Sequence, residues 1–284
     1  MATKIHPTAV IATGAELGAG VEIGPHTVVG PNVRIGDRTR IGAQVVIDGV
    51  TRIGEDNVIS GQASLGGPPQ DFSYKGEPTR LEIGDRNTIR EFITINRGTV
   101  KGGGTTSVGN DNLFMACCHV AHDCEIRDNV ILSNNVLLAG HVLVEQHANI
   151  GGAAAAHHFV TIGAFAYVGG MTRMVRDVPP YMIVEGHAAR VRGVNVIGLK
   201  RADASEVDIE ALRAVFKRIY RTGNPLRKVL SELSDEPHEP DFVQHLIRSL
   251  NDTETGFKGR FRESMRAEFA RLGAERILAR TSAP

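Results

Sequence analysis

The stretch Ile35-Gly-Asp-Arg-Thr-Arg-Ile41-Gly-Ala-Gln-Val-Val-Ile47 has an isoleucine at every sixth position. The spacing continues on both sides, with one interruption that keeps the phase and a later one that shifts it by a single residue. An α-helix repeats about every 3.6 residues and a strand about every two, so neither explains a period of six. A hexapeptide repeat is typical of a β-helix. The positions at this spacing are Ile5, Ile11, Leu17, Ile23, Val29, Ile35, Ile41, Ile47, Ile53, Ile59, Leu65, Ile83, Ile89, Ile95, Val108, Phe114, Val120, Ile126, Leu132, Leu138, Val144, Ile150, Ala156, Ile162, Val168 and Met174.

The repeat predicts how each coil is built. Each unit is expected to form one short strand and one turn, and three units complete a coil of 18 residues. The aliphatic residue should point inward and stack on its counterpart in the next coil. Glycine and asparagine are expected at the tight or left-handed turn positions. The predicted fold class is therefore an all-β left-handed parallel β-helix, followed by a C-terminal α-helical domain.

The repeat also sets the predicted domain boundaries. The β-helix domain should span residues 1–186, with a loop insertion near 66–82 and a second glycine-rich break around 101–107. Apolar residues then recur at three and four positions, which predicts a helical domain over 187–284. Ser205 is a candidate N-cap, and Asn224-Pro225 reads as a cap followed by proline at the first helical position. This domain is expected to cover the open end of the solenoid.

Composition excludes several classes of protein. The 32 basic and 32 acidic residues give no net charge, so no global field favours nucleic acid or a membrane surface. The chain enters the repeat from its first residues, leaving no room for a signal peptide, and no apolar run approaches the roughly 20 residues that span a bilayer. Cys117, Cys118 and Cys124 are odd in number and form no CxxC pair, which predicts reduced thiols in a cytoplasmic protein.

A group of histidines falls on one edge of the predicted prism. His122, Gly140 and His158 are 18 residues apart and should form a ladder with steps of about 4.8 Å. Such a cluster can supply a general base, metal ligands or donors to an anionic substrate. The side chains gathered at this edge are His119, His122, Asp123, His141, His157 and His158.

Zinc is one alternative for the cluster, because some hexapeptide-repeat proteins resembling carbonic anhydrase bind it through three histidines between subunits. Here His122 and His158 should lie two coils apart, about 9.6 Å, which is too far to share one ion within a subunit. The third histidine expected five residues after His158 is replaced by Gly163. We therefore predict neither a metal nor a cofactor.

Several motifs are specific enough to indicate a family. Val120-Ala-His-Asp-Cys124, Leu138-Ala-Gly-His141, Gly76-Glu-Pro-Thr-Arg80, Asp177-Val-Pro-Pro-Tyr181 and Gly193-Val-Asn195 with Gly198-Leu-Lys-Arg201 closely resemble the UDP-N-acetylglucosamine acyltransferases. That resemblance implies transfer of a 3-hydroxyacyl group from acyl carrier protein to the 3-hydroxyl of UDP-N-acetylglucosamine, the first step of lipid A biosynthesis.

The resemblance also implies roles for individual residues. His122 would be the general base, Asp123 would orient it, and the backbone N–H of Gly140 would bind the oxyanion. The remaining matches imply substrate-binding positions. These are Gln70 and Asp71 for sugar or acyl contacts, His119, His141 and His157 for binding or catalysis, Asn195 and Arg201 for the nucleotide or carrier, and Gly170 for acyl length.

The chain departs from the family pattern at four positions near the sugar nucleotide. Ser73 stands where the family has Lys, His158 where it has Gln, Ile197 where it has an acidic residue, and Ala202 where it has a second Arg. Lys75 is a candidate replacement for the missing ammonium. The departures leave open an N-acyltransferase acting on an amino-sugar nucleotide, either the 3-amino analogue or the substrate of the later lipid A step. A zinc-dependent hydratase and a non-catalytic scaffold are the alternatives from other classes.

The assembly expected from this geometry is a homotrimer. One prism offers only flat faces, so the histidine edge would become a cleft when a neighbouring prism supplies the second wall. A closed three-fold ring satisfies this requirement with a single type of interface.

Overall fold

The computed structural model of the protein describes residues 2–237 and 241–281. Most strands are two residues long, and the second residue of each is the apolar residue of the hexapeptide. The strands are β1 (Lys4–Ile5), β2 (Val10–Ile11), β3 (Glu16–Leu17), β4 (Glu22–Ile23), β5 (Val28–Val29), β6 (Val33–Ile35), β7 (Arg40–Ile41), β8 (Val46–Ile47), β9 (Val50–Ile53), β10 (Val58–Ile59), β11 (Ser64–Gly67), β12 (Arg80–Ile83), β13 (Thr88–Ile89), β14 (Thr94–Asn96), β15 (Thr105–Val108), β16 (Leu113–Phe114), β17 (His119–Val120), β18 (Glu125–Ile126), β19 (Ile131–Leu132), β20 (Leu137–Leu138), β21 (Leu143–Val144), β22 (Asn149–Ile150), β23 (Ala155–Ala156), β24 (Thr161–Ile162), β25 (Tyr167–Val168), β26 (Arg173–Met174), β27 (Met182–Glu185) and β28 (Arg190–Val194).

Every third strand pairs in parallel, which produces three sheets wound around one core. The first sheet runs from β1 through β25 to β27 and β28, the second from β2 to β26, and the third from β3 to β24. The register steps by 18 residues in the regular coils, as where Val28 pairs with Val46. The predicted left-handed parallel β-helix is confirmed.

The core is the stack of inward aliphatic side chains. Ile47, Leu65, Ile95, Val120 and Leu138 follow one another in the second sheet, and each is fully buried. Burial of such side chains contributes roughly 1.5–3 kcal/mol each. The regular stack makes the outer edges rigid positions for functional side chains.

Contrary to the prediction from the sequence, the left-handed turn positions are not restricted to glycine and asparagine. Left-handed backbone occurs at Gly20 and Asn129, but also at many larger residues, including Arg38, Asp123 and His141. The glycine that follows the aliphatic residue instead allows coils to approach closely. A Cβ added to Gly24, for example, would lie 2.7 Å from the carbonyl carbon of the next coil's glycine.

Both interruptions of the repeat leave the solenoid at the same edge. The first joins β11 to β12 through residues 68–79, and the second joins β14 to β15 and contains a short 3-10 helix, Val100–Gly102. In each case the chain passes from the second sheet to the third. The turn 121–124, between β17 and β18, makes the same passage one coil later. The two loops and the His122 turn are therefore stacked on one another.

The last strands end the solenoid and lead into helices. β28 pairs antiparallel with β27, so the boundary predicted after residue 186 falls inside a hairpin, and the domain division stays a prediction. No described helix is both long and apolar enough to cross a membrane. The helices are α1 (Val196–Arg201), α2 (Glu206–Tyr220), α3 (Leu226–Ser234), α4 (Asp241–Thr255), α5 (Phe261–Ser264) and α6 (Arg266–Thr281).

The helix caps agree with the sequence in one case and differ in another. Ser205 caps α2, and its hydroxyl and Asp208 form a reciprocal capping box. Pro225 lies at the N-cap of α3 rather than at its first helical position, so that expectation was wrong by one residue. Residues 238–240 and 282–284 of the predicted helical domain lie outside the described residues.

Candidate active site

His122 and Asp123 lie at the edge between the second and third sheets, two coils beyond the first loop and one coil beyond the second. Both side chains are buried, with 8% and 0% of their surface exposed, so His122 is not the exposed edge residue that a turn position suggests. The left-handed backbone of Asp123 lets its N–H donate to Thr106 Oγ1 at 2.7 Å. The pair is thus held by the coil beneath it.

The Asp123 carboxylate fixes the orientation of the imidazole. It accepts hydrogen bonds from the Thr99 N–H at 2.7 Å and from Thr99 Oγ1 at 2.5 Å. His122 Nδ1 lies 2.8 Å from the same carboxylate, which favours the tautomer with its proton on Nδ1. Nε2 is then an unprotonated acceptor, as a general base requires.

Gly140 lies against the face of this imidazole. A Cβ at residue 140 would lie 2.6 Å from His122 Cε1, so any side chain would displace the ring. Among residues 2–237 and 241–281, the backbone N–H of Gly140 donates to no protein acceptor. A free N–H beside the base is what an oxyanion site needs.

Burial favours the neutral forms of three neighbouring histidines, His119, His141 and His158. His141 stacks on Phe159 with ring centroids 4.1 Å apart, and burial lowers the pKa of His141 to about 4. Burial also lowers the pKa values of His119 and His158. His119 Nδ1 is 2.7 Å from Thr94 Oγ1, while His157 Nδ1 faces the backbone carbonyl of the next residue at 3.2 Å. A neutral imidazole has one N–H that can donate a hydrogen bond to a substrate, and it adds no positive charge beside His122.

The first loop brings Asp71 to the open side of His122. Asp71 Oδ2 lies 3.9 Å from His122 Nε2, and its other oxygen accepts bonds from the N–H and hydroxyl of Ser73 at 2.9 and 2.8 Å. Lys101, from the second loop, places its Nζ 2.5 Å from Asp71 Oδ2 and 2.9 Å from Ser73 Oγ. The Lys101 ammonium holds the pKa of Asp71 well below its usual range.

The ammonium group that contacts Ser73 and Asp71 belongs to Lys101, and the substrate role predicted for Lys75 stays a prediction. Lys75 Nζ instead donates to the Phe72 carbonyl at 3.1 Å, within its own loop. Sequence reasoning missed Lys101, because its alignment with Ser73 depends on two loops that leave adjacent coils. The one available signal was that both loops interrupt the repeat at the same point of the coil.

A cavity of about 270 Å³ joins these groups. Its third wall comes from α6, through Arg266 and Ala270, which sequence reasoning also missed. No hexapeptide position predicts that a C-terminal helix returns to the solenoid edge. The other lining residues are Asp71, Lys101, His122, His141, His158 and Phe159.

Other predicted site residues do not meet in this cavity. Gly170 lies at a different edge, between the first and second sheets, and Arg201 is an exposed residue at the end of α1. Asn195 is buried, where its Oδ1 caps α1 and its Nδ2 donates to Phe165 O at 2.8 Å. Gln70 is an exposed loop residue outside the cavity lining. Their substrate roles stay predictions, as do those of the residues inside the cavity.

One group of side chains has the spacing of metal ligands. Ligand atoms of His122, Asp123 and His141 lie within 4.8 Å of one another. The Asp123 oxygens, however, already accept hydrogen bonds from Thr99 and lie within hydrogen-bond distance of His122 Nδ1, so they belong to a hydrogen-bond network.

Two family models match parts of the chain. Residues 177–258 match the second domain of UDP-N-acetylglucosamine O-acyltransferase, and residues 15–49 match the bacterial transferase hexapeptide repeat.

The similar proteins extend the match over most of the chain. The acyl-[acyl-carrier-protein]–UDP-N-acetylglucosamine O-acyltransferase of Paraburkholderia phymatum is 50% identical over 259 residues, covering 87% of this chain and 99% of that protein. The crystal structure of the Moraxella catarrhalis UDP-N-acetylglucosamine O-acyltransferase is 41% identical, with a TM-score of 0.83, and covers 87% of this chain and 96% of its own. The Arabidopsis enzyme structure is 35% identical, with a TM-score of 0.75, and covers 88% and 97%. The chain therefore belongs to the UDP-N-acetylglucosamine O-acyltransferase family.

Proposed function

We propose that this protein transfers a 3-hydroxyacyl group from acyl carrier protein to the 3-hydroxyl of UDP-N-acetylglucosamine, the first step of lipid A biosynthesis. Family membership supports the reaction class and both substrates. The observation that carries the proposal is the oriented His122–Asp123 pair, with a free backbone N–H at Gly140 beside it.

The reaction follows from these three groups. His122 Nε2 accepts the proton of the sugar hydroxyl as its oxygen attacks the thioester carbonyl. The Gly140 N–H donates to the oxyanion of the tetrahedral intermediate. When that intermediate collapses, the C–S bond breaks and the imidazolium returns its proton to the departing thiolate. Asp123 stabilises the imidazolium during both steps.

Lys101 bears on the identity of the acceptor. Ser73 in place of a lysine was one of the four departures that left open an acceptor carrying its own amine. Because Lys101 Nζ lies 2.9 Å from Ser73 Oγ, the cavity still contains an ammonium at this position. An acceptor with a 3-hydroxyl therefore needs no compensating charge of its own.

The decisive experiment compares acceptors with one donor. Purified protein would be assayed with 3-hydroxyacyl carrier protein and either UDP-N-acetylglucosamine or its 3-amino analogue. We expect a higher kcat/KM for UDP-N-acetylglucosamine, and loss of this turnover in His122→Ala. Turnover of the analogue alone would replace the proposal by the N-acyl reaction.

We also propose a homotrimer in the cytoplasm. In the structure α6 supplies a wall of the cavity from the same chain, so a neighbouring prism is not needed for that wall. A different feature supports assembly: Val10, Val28 and Val46 form an exposed apolar row on the second sheet, 58%, 40% and 44% exposed. A neighbouring prism would cover this row. Sedimentation of the native protein and of Val28→Glu tests the assembly, and a stable, active monomer would reject it.

The cytoplasmic location is supported by the three unpaired cysteines, because free thiols persist in a reducing compartment.

A further inference from the structure

The chain continues past the family match and returns to the active site. The match to the second domain of the family ends at residue 258, and α5 and α6 follow that residue. The return begins at a fixed point, because Asp177 Oδ2 accepts the Phe261 N–H at 2.8 Å and Arg260 Nη1 donates to Val175 O at 2.8 Å. Helix α6 then lies along the solenoid edge.

Helix α6 packs directly against the backbone of the loop that carries Lys101. Gly273 is buried, and a Cβ there would clash with the Val100 carbonyl oxygen. Three residues later, Arg276 Nη1 donates to Gly103 O at 3.0 Å. The absence of a side chain at Gly273 thus allows the helix to contact the loop backbone directly.

Two arginines connect this segment to the histidine edge. Arg262 Nε donates to the His141 carbonyl at 3.3 Å, and its Nη1 lies 3.4 Å from Glu125. The Arg266 guanidinium lies 4.5 Å from the centroid of the Phe159 ring, which in turn stacks on His141. Arg266 therefore borders the cavity that holds the base.

The charge of Arg266 is incompletely neutralised. Its carboxylate partner within the described segments is Glu263, 2.6 Å from Nη2. Glu263 also accepts a hydrogen bond from Arg260 Nε at 2.6 Å, so one carboxylate serves two guanidiniums. The Arg266 side chain is 60% exposed at the cavity mouth, which leaves donors available to an incoming anion.

We propose that Arg266 is a substrate-binding residue that contacts a phosphate group during acyl transfer. This inference rests on the proposed function, in which both substrates carry phosphate. One source is the diphosphate of the sugar nucleotide, and the other is the phosphate that links the pantetheine arm to the carrier. A guanidinium binds two phosphate oxygens with parallel N–H donors, which makes arginine suited to either.

The test uses Arg266→Met, which removes the charge but keeps an apolar stem over Phe159. We expect KM to rise about tenfold to a hundredfold for the substrate whose phosphate is bound, as for loss of a charged hydrogen bond, with kcat nearly unchanged. The matched control is Arg271→Met, because Arg271 is an exposed residue of the same helix paired with Glu275. That variant should keep both KM values.

Two arms distinguish the source of the phosphate. A rise in KM for UDP-N-acetylglucosamine assigns the contact to the nucleotide. A carrier-free donor, 3-hydroxyacyl-pantetheine with or without its 4′-phosphate, tests the other source, because Arg266→Met would abolish the preference for the phosphorylated form. Unchanged KM values in both arms would overturn the inference.

A binding measurement separates failure of this inference from failure of the proposed function. Calorimetry with inorganic pyrophosphate needs no turnover, and Arg266→Met should weaken its binding while Arg271→Met should not. If the native protein binds pyrophosphate through Arg266 but transfers no acyl group to UDP-N-acetylglucosamine, only the proposed reaction is wrong. Equal pyrophosphate binding by native protein and Arg266→Met rejects the phosphate site.

The helix position is tested by a second pair of variants. Gly273→Leu should displace α6 from the Val100 carbonyl and reproduce the KM change of Arg266→Met. Ala274→Leu adds the same side chain at an exposed neighbouring position and should have no effect. An increase in kcat/KM with Gly273→Leu would mean that α6 blocks the site, which would also overturn the inference.

Discussion

Replacing Lys101 by methionine should shift the pH dependence of acyl transfer. In the native protein Lys101 neutralises Asp71, whose Oδ2 lies only 3.9 Å from His122 Nε2. Without the ammonium, an unpaired carboxylate would face the base and favour the protonated imidazole. Only the neutral imidazole can accept the hydroxyl proton. As the pH is lowered, the variant should therefore lose activity at a higher pH than the native protein does.

The size of the effect follows from the distance. Two unit charges about 4 Å apart interact by about 1 kcal/mol in water and about 4 kcal/mol at an effective dielectric constant near 20. The cavity is open to solvent, so a value near the lower end applies. At about 1.4 kcal/mol per pH unit, the acid limb of the kcat/KM profile should move upward by about one pH unit.

The assay is a kcat/KM profile from about pH 5 to about pH 9, which includes the pH range in which histidine side chains ordinarily change charge. Lys101→Arg keeps the charge beside Asp71 and should keep the native profile. Lys75→Met is the matched loop control, since Lys75 Nζ donates to the Phe72 carbonyl at 3.1 Å rather than to Asp71. An unchanged acid limb in Lys101→Met, or a displaced one in Lys75→Met, would refute the electrostatic role of Lys101.

The other groups of the site make separate predictions. His122→Ala should lower kcat by about 10²–10⁴-fold, and near-normal turnover would identify a different base. Gly140→Ala should lower kcat by about 10²–10⁴-fold, since its methyl group would displace the His122 ring, whereas Gly152→Ala, whose added Cβ would be 3.3 Å from the nearest atom, should be active. Burial lowers the pKa of His141 to about 4, so the unfolded chain binds an extra proton between about pH 6.5 and 4, and stability falls as pH falls through that window. Over this pH range the free energy of unfolding, measured in urea, should fall by up to about 3 kcal/mol less in His141→Asn than in the native protein. An equal dependence of unfolding free energy on pH in both proteins would contradict this prediction. Gly170→Met should shift preference to shorter acyl chains, and unchanged selectivity across an acyl-length series would show that the groove ends elsewhere.

The sequence predicted the fold because its rule is local and repeats. An aliphatic residue every six positions is sufficient to define the coil, the three sheets and the ladder of His122, Gly140 and His158. The contact between His122 and Asp123 was also readable, since adjacent residues at a turn remain neighbours in space, whereas their roles stay predictions. Each of these inferences depends only on separations fixed by the repeat.

The parts that were missed depend on loops and on the chain end. Lys101 contacts Ser73 across 28 residues of sequence, from the next loop, whereas the nearby Lys75 donates to a carbonyl of its own loop. Arg266 reaches Phe159 from a helix that has no fixed register with the coils. In both cases the contact is tertiary, so neither periodicity nor a short motif could specify it.

The shared exit edge of the two loops has a consequence for how this enzyme family can change. Both loops return the chain to the same strand register, with Ile83 on Ile53 and Val108 on Ile83, so their lengths can vary without disturbing the aliphatic column. Doubling such a loop costs only about 0.6 kcal/mol in closure entropy. Insertions and deletions at this edge can therefore remodel the cavity walls around an unaltered His122–Asp123 pair. Substrate preference and folding stability can evolve as nearly independent traits.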